Sequence, residues 1–139
     1  MRDFNLELGG LLLDMAAAAG DTRRAFGYTR AARAVLRIEQ SVAPLVRANT
    51  FQAVPGIGKT TDRIARELVE DGRSAFVERA IDESGAGETV ARQRTLREHF
   101  LSGATIAEIL ARDAAPSLRR YRGDLQMHSV YSDGSEPLA

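Results

Sequence analysis

One stretch constrains this chain more than any other: Val54-Pro55-Gly56-Ile57-Gly58, set between two helical patterns. Proline fixes φ and removes a donor, so Pro55 stops any helix that precedes it. Gly56 and Gly58 permit a sharp turn and a close approach of backbone to another surface. Ile57, between them, is expected to plug inward. A helix is predicted from about Lys59. Its Thr61, Ile64, Ala65, Leu68 and Val69 follow the i, i+3, i+4, i+7 spacing of one buried face. Lys59, Arg63 and Arg66 fall on the opposite face, and Gly72 is placed to end the helix.

The arrangement looks like a helix-hairpin-helix motif. Its turn leaves N–H groups free at a helix N-terminus, where they can hold a nucleic-acid phosphate without reading the base. Ala53 to Thr60 also satisfies a relaxed phosphate-loop pattern. A nucleotide-binding loop must follow a buried strand of a parallel sheet. Arg47 to Gln52 is no such strand and Pro55 lies inside the loop, so NTP binding is set aside.

The remaining periodicity is helical. Phe4, Leu8, Leu11, Leu12 and Met15 place a first helix over about residues 3–19, ended by Gly20, with Asp21 as the expected N-cap of the next. A second helix is predicted over about 22–39, with Tyr28, Ala31, Ala32, Val35 and Ile38 inward. Arg23, Arg30, Arg33 and Arg37 share one of its faces. Two readings of that arginine face stay open, a solvated surface and a phosphate-tracking one. Ser41–Asn49 is a short helix, followed by a helical turn near Thr50–Val54. Ser74 is expected to cap a helix carrying Phe76, Val77, Ala80 and Ile81.

Ser84-Gly85-Ala86-Gly87 resembles a second, worn hairpin turn. Ala86 makes a small plug and Glu88 would repel a phosphate, so this copy is read as structural. Helices over about 88–102 and 104–112 follow, with Leu96, Phe100, Ile106, Ile109 and Leu110 expected in the core. Pro116 closes the helical part. From Tyr121 the pattern reads as a short strand running into a polar loop, and the chain is expected to stop just inside a further domain. The fold class is therefore all-α: a small helical bundle with one clear and one degenerate helix-hairpin-helix motif, then a fragment of a β-strand. The expected divisions are residues 1–73, 74–120 and 121–139.

Charge is placed unevenly. The net charge is zero, yet residues 21–73 hold ten Lys/Arg against six Asp/Glu, concentrating positive charge around the hairpin. Eighteen of the nineteen basic residues are arginine, and Lys59 is the only lysine. The absence of cysteine excludes disulfides and thiolate sites and fits a reducing compartment. Leu11–Ala19 could imitate the apolar part of a signal peptide, but Asp3, Glu7 and Asp14 interrupt that pattern. No run is long enough to span a membrane. A cytoplasmic, monomeric protein without a membrane partner is expected.

Two stretches together carry a family resemblance. Ala25-Phe26-Gly27-Tyr28-Thr29-Arg30-Ala31-Ala32, followed by Val54-Pro55-Gly56-Ile57-Gly58, is similar to the N-terminal eight-kilodalton domain of family X DNA polymerases, typified by polymerase beta. Gly123-Asp124-Leu125-Gln126-Met127-His128, with Ser132-Asp133-Gly134, looks like the opening motif of the PHP phosphoesterase domain. The span between them leaves no room for polymerase palm and fingers. The closest match is a PHP-domain protein with a polymerase-like N-terminal DNA-binding region.

The resemblance implies a set of sites. The phosphate-binding residues would be Arg23, Arg24, Tyr28 and Thr60, beside the hairpin's own Gly56, Ile57, Gly58, Lys59 and Arg63. The carbonyls of Gln52, Val54 and Ile57 match those that hold a monovalent cation, Na⁺ or K⁺, bridging to DNA phosphate. His128 and Asp133 match the first metal ligands of PHP domains, which take zinc or manganese. Gln126 replaces a histidine there, and any such metal belongs to an intact parent; no cofactor is expected otherwise. The position matching the family's lyase lysine is Ile64, which has no amine, so deoxyribose-phosphate lyase chemistry is not expected.

The expected function is therefore sequence-independent DNA binding at gapped or ended duplexes, serving a PHP metal-dependent phosphoesterase in DNA repair or end processing. This stretch itself is expected not to be an enzyme. Scarce aromatics outside the core argue against base stacking. The competing reading is a helical scaffold whose hairpin packs on its own PHP domain. Zero net charge and Asp62, where such motifs usually put alanine, favour that alternative.

Overall fold

The computed structural model describes residues 2–112, so the expected β-strand fragment, Gln126, His128 and Asp133 lie outside the described residues. Among the described residues the chain is all-α, with seven α-helices, one 3₁₀ turn and no strand. The helices are α1 (Phe4–Ala19), α2 (Arg23–Arg37), α3 (Val42–Arg47), α4 (Lys59–Asp71), α5 (Ala75–Ser84), α6 (Gly87–Leu96) and α7 (Gly103–Ala111), with the 3₁₀ turn at Phe51–Ala53. No helix among the described residues is long and apolar enough to cross a membrane.

α1 is the axis of the bundle. Leu8 and Leu12 are fully buried, and α2 lies along α1 with Ala31, Ala32 and Val35 inward. The two helices approach closely at Gly9. A Cβ there would lie 2.7 Å from the Leu36 side chain, so only glycine lets Leu36 settle onto α1. Asn5, itself buried, closes the far end. Its amide donates to the Gln40 carbonyl (2.9 Å) and the Ile38 carbonyl (3.3 Å), and its Oδ1 accepts from the Val42 N–H (2.8 Å). One side chain thus satisfies the chain where α2 ends and α3 begins, a place where helices leave backbone groups unpaired.

The N-cap of α2 is Thr22, whose hydroxyl accepts from the Ala25 N–H, rather than the expected Asp21. Gly20 with φ +64 ends α1, and Thr22 is the first residue with the extended backbone that a cap needs. α2 stops at Arg37, two residues before the expected end, and α3 spans Val42–Arg47 only. Ser74 caps α5 and Gly72, in the left-handed region, ends α4, both as expected.

Val77, Ile81 and Val90 join the same core as Leu8 and Leu12, so the core runs without a gap past residue 73. α6 is locked to α1 by charge. Asp14, almost fully buried on α1, accepts from Arg94 Nε at 2.8 Å and pairs with Arg97. The turn at Gly85-Ala86 ends α5 as a Schellman motif: the Gly85 N–H donates to the Asp82 carbonyl and the Ala86 N–H to the Ile81 carbonyl. Ala86 packs partly against the core.

One part of the expected core is not core. Leu96, Phe100, Ile106, Ile109 and Leu110 are exposed, as is Leu101. The reason lies in how the last two helices dock. α6 ends at Leu96 instead of running to 102, and α7 is tied by hydrogen bonds through its first turn. Asp3 accepts from the hydroxyls of Ser102 and Thr105, and Gly103 lies against the backbone carbonyl of Arg37, where a Cβ would sit at 3.0 Å. Beyond that turn Ala107 and Glu108 are half-buried and border a cavity with Phe4, Glu39 and Ser41, while Ile106, Ile109 and Leu110 stay exposed among the described residues.

Candidate nucleic-acid interface

The hairpin turn follows from its residues. The Ile57 N–H donates to the Val54 carbonyl at 3.1 Å, closing a turn with Pro55 and Gly56 at its centre. Gly56 has φ +88, which a type II turn requires of the residue after proline. Ile57 is buried in the core and plugs the turn inward, as expected. Gly58 then becomes the N-cap of α4 with an extended backbone, φ −101 and ψ 176, that any residue could adopt. A Cβ on Gly58 would meet nothing within 4 Å, so neither conformation nor internal packing calls for glycine there.

The α4 N-terminus carries free donors. The first N–H with a helical acceptor is that of Asp62, which donates to the Gly58 carbonyl at 3.0 Å. Lys59, Thr60 and Thr61 precede it, and no side chain caps them. Side chains do cap α1, α2, α3, α5 and α7, through Asp3, Thr22, Ser41, Ser74 and Ser102. The open end of α4 faces a groove of about 560 Å³ between the hairpin and α2. Arg24, Gly27, Tyr28 and Arg30 form one wall; Gly58, Lys59 and Thr60 form the other. The groove therefore brings together Arg24, Tyr28, Gly56, Gly58, Lys59 and Thr60 of the expected site. Arg23 lines two adjoining grooves on α2 instead.

Charge compensation separates the basic residues into two sets. Among the described residues, Arg2, Arg63, Arg66, Arg94, Arg97 and Arg112 form ion pairs; Arg23, Arg24, Arg30, Arg33, Arg37 and Lys59 form none, nor do Arg47, Arg73, Arg79 and Arg92, which lie outside the groove. Arg63 pairs with Glu67 at 2.9 Å and lies over the Phe76 ring, 4.5 Å from its centroid. Glu67 is itself committed. Desolvation pushes its carboxyl up, but hydrogen bonds from the Ser74 hydroxyl, the Phe76 N–H and Arg63 outweigh that and hold it below the ordinary range. Arg63 is thus a brace between α4 and α5 and does not line the groove.

Asp62, which in the sequence favoured the scaffold alternative, is engaged within the turn itself. It is buried, and its Oδ2 accepts from Gln52 Nε2 and from Arg66 Nε, each at 2.9 Å. Arg66 continues to Asn49 Oδ1 at 2.7 Å, where Asn49 holds a positive φ of 57. The acidic residue ties the turn together, and its charge is met by Arg66 on the inner side. Oδ1 of Asp62 is buried without a partner.

Ile64, at the position matched to the lyase lysine, is fully buried and offers neither an amine nor access. Sequence reasoning passed over Gly27, whose place in the wall is visible only once α2 and α4 are juxtaposed. It also held aromatics to be scarce outside the core and gave Phe26 no role, whereas Phe26 is 75% exposed on α2. The signal for that was available: Phe26 falls i+3 from Arg23 and i−4 from Arg30, on the cationic face.

Searched against family models, curated proteins and solved structures, the chain matches none.

Proposed function

We propose that this chain binds the phosphate backbone of DNA, independently of sequence, in the groove between α2 and the hairpin. One observation carries the reading: the uncapped N-terminus of α4 opens onto the same groove as three cations without ion pairs, Lys59, Arg24 and Arg30. Backbone donors at a helix N-terminus and unpaired cations both favour a phosphate. Tyr28 and Thr60 add hydroxyl donors beside them. These contacts go to phosphate oxygens, which set register but carry no base information. Gapped or ended duplexes are the substrates proposed.

A monovalent cation fits the turn. Pro55 has no N–H to offer the Gln52 carbonyl three residues before it, leaving that oxygen without its usual 3₁₀ donor. The carbonyls of Gln52, Val54 and Ile57 would hold Na⁺ or K⁺, although Val54 already accepts one hydrogen bond. When bound, the ion adds one positive charge beside the groove.

The role assigned to the module is delivery of a metal-dependent phosphoesterase of the PHP type to DNA, in repair or end processing, without catalysis of its own. That part rests on the 123–134 motif alone. A second reading, a helical scaffold, is favoured by the exposed apolar side chains of Leu96, Phe100, Ile106, Ile109 and Leu110. These residues do not line the groove, so the two roles are compatible.

The test is fluorescence anisotropy with a one-nucleotide-gapped, 5′-phosphorylated duplex at two salt concentrations. If each of the three groove cations neutralises one phosphate, affinity falls roughly 40-fold between about 50 and 200 mM salt. No binding at low salt would leave only the scaffold. A borohydride-trapped adduct on an abasic substrate would overturn the non-catalytic assignment.

A further inference from the structure

Phe26 stands 75% exposed in the first turn of α2. A single exposed apolar residue is ordinary and by itself carries nothing. Its surroundings are what matter. On the α2 surface its helical neighbours are Arg23 at i−3, Arg30 at i+4 and Arg33 at i+7, none of which forms an ion pair among the described residues. The ring lines a groove of about 720 Å³ with these arginines, Gly27 and Thr29, and Asp21 is the only carboxylate in it. Gly27 and Arg30 line both this groove and the phosphate groove beside the hairpin, so the two are adjacent along one helix.

An apolar peptide segment would have to desolvate three guanidinium groups to reach this ring. An unpaired nucleobase would not. It offers a π-face to the phenyl ring while its own phosphates lie against the arginines. Guanidinium groups also stack on base faces. Gly27 lacks any side chain between the two grooves, and a Cβ there would meet nothing within 4 Å, leaving the backbone surface open to a crossing strand.

We propose that Phe26 is a stacking platform for an unpaired base, so that the ligand of this face is single-stranded or gapped DNA rather than intact duplex. The inference rests on the phosphate-binding reading above and narrows it: the hairpin holds the backbone, and Phe26 takes a base that has left the helix. The arginines flanking the ring hold the phosphates on either side of that base.

Phe26→Ala and Phe26→Trp test it in the full chain. The sequence contains no tryptophan, so Phe26→Trp reports on this site alone. Binding is measured to single-stranded DNA, to a one-nucleotide-gapped duplex and to a blunt intact duplex, with circular dichroism to establish that each variant folds. Phe26→Ala should lose about tenfold in affinity for single-stranded and gapped DNA, the scale of one base stack. Blunt duplex affinity should change less than about twofold on the same grounds. Phe26→Trp should retain wild-type affinity, and the unpaired strand should quench its emission. If the wild type binds gapped DNA and Phe26→Ala binds it equally well, the platform is wrong and the phosphate reading survives. If the wild type binds no DNA, both fail. Tryptophan emission that responds to protein concentration but not to DNA would make this an interface between copies of the chain and overturn the proposal.

Discussion

The Gln52 side-chain amide donates to Asp62 Oδ2 at 2.9 Å, tying the 3₁₀ turn before the hairpin to the helix after it. Arg66 donates to the same oxygen, and through Asn49 the ties reach the end of α3. Asp62→Ala should therefore destabilise the fold by about 1–3 kcal/mol, since the Gln52 amide and the half-buried Arg66 guanidinium both lose a charged acceptor. Urea unfolding measures this. A midpoint unchanged from wild type would mean that the ties are dispensable.

Gly27 separates stability from binding. It sits inside α2, where glycine costs about 0.5–1 kcal/mol relative to alanine, and a Cβ there has open space. Gly27→Ala should stabilise the chain by that amount while weakening gapped-DNA binding, because the methyl projects into the wall of the phosphate groove. Thermal unfolding and anisotropy on the same preparation give both numbers. Equal DNA affinity would show that no ligand backbone approaches this wall.

The ion-pair pattern ranks the cations. Lys59→Glu, Arg24→Glu and Arg30→Glu should each weaken DNA binding and reduce the steepness of the salt dependence by about one contact. Arg63→Glu should leave that slope unchanged, because Arg63 is committed to Glu67 and Phe76, and should instead lower stability. Equal slope changes in all four would mean that Arg63 leaves its brace when DNA binds.

Acid should detach α7 early. Partial burial pushes the Asp3 carboxyl up, but hydrogen bonds from the Thr105 hydroxyl, the Leu6 N–H and Ser102 outweigh it, leaving Asp3 below the ordinary carboxylate range. The folded-state pKa is thus lower than the unfolded one. Its stabilisation is complete above the unfolded pKa of about 4, and is lost as pH falls through the folded value. Glu67 acts in the same sense. Thermal midpoints should hold down to about pH 5 and decline below it. Asp3→Asn, which keeps a capping side chain, should flatten that decline; an unaltered slope would place its origin elsewhere.

Much of this was legible along the chain, and what was not has physical reasons. The buried face of α4, its end at Gly72, the Ser74 cap and the inward plug of Ile57 follow from local spacing and backbone chemistry. Arg63–Glu67 and Asp62–Arg66 are both four residues apart on one helix, so those pairings were also readable in principle. Exposure of Ile106, Ile109 and Leu110 was not readable, because periodicity states which residues share a face but not what covers it. Phe26 received no role, although its place between Arg23 and Arg30 was readable from the spacing. Juxtaposition of Gly27 with Gly58 depends on how α2 crosses the hairpin, which no local pattern encodes.

The Asn5 clamp has a kinetic corollary. By closing the α2–α3 junction from inside α1, it fixes the end of α2 and the start of the segment that leads to the hairpin. If the groove takes a DNA strand as proposed, both of its sides are then held in place beforehand. Under those conditions ionic strength acts chiefly on the rate of arrival, through long-range attraction between the cationic face and the polyanion. Residence time is left to the short-range contacts made after the strand has landed.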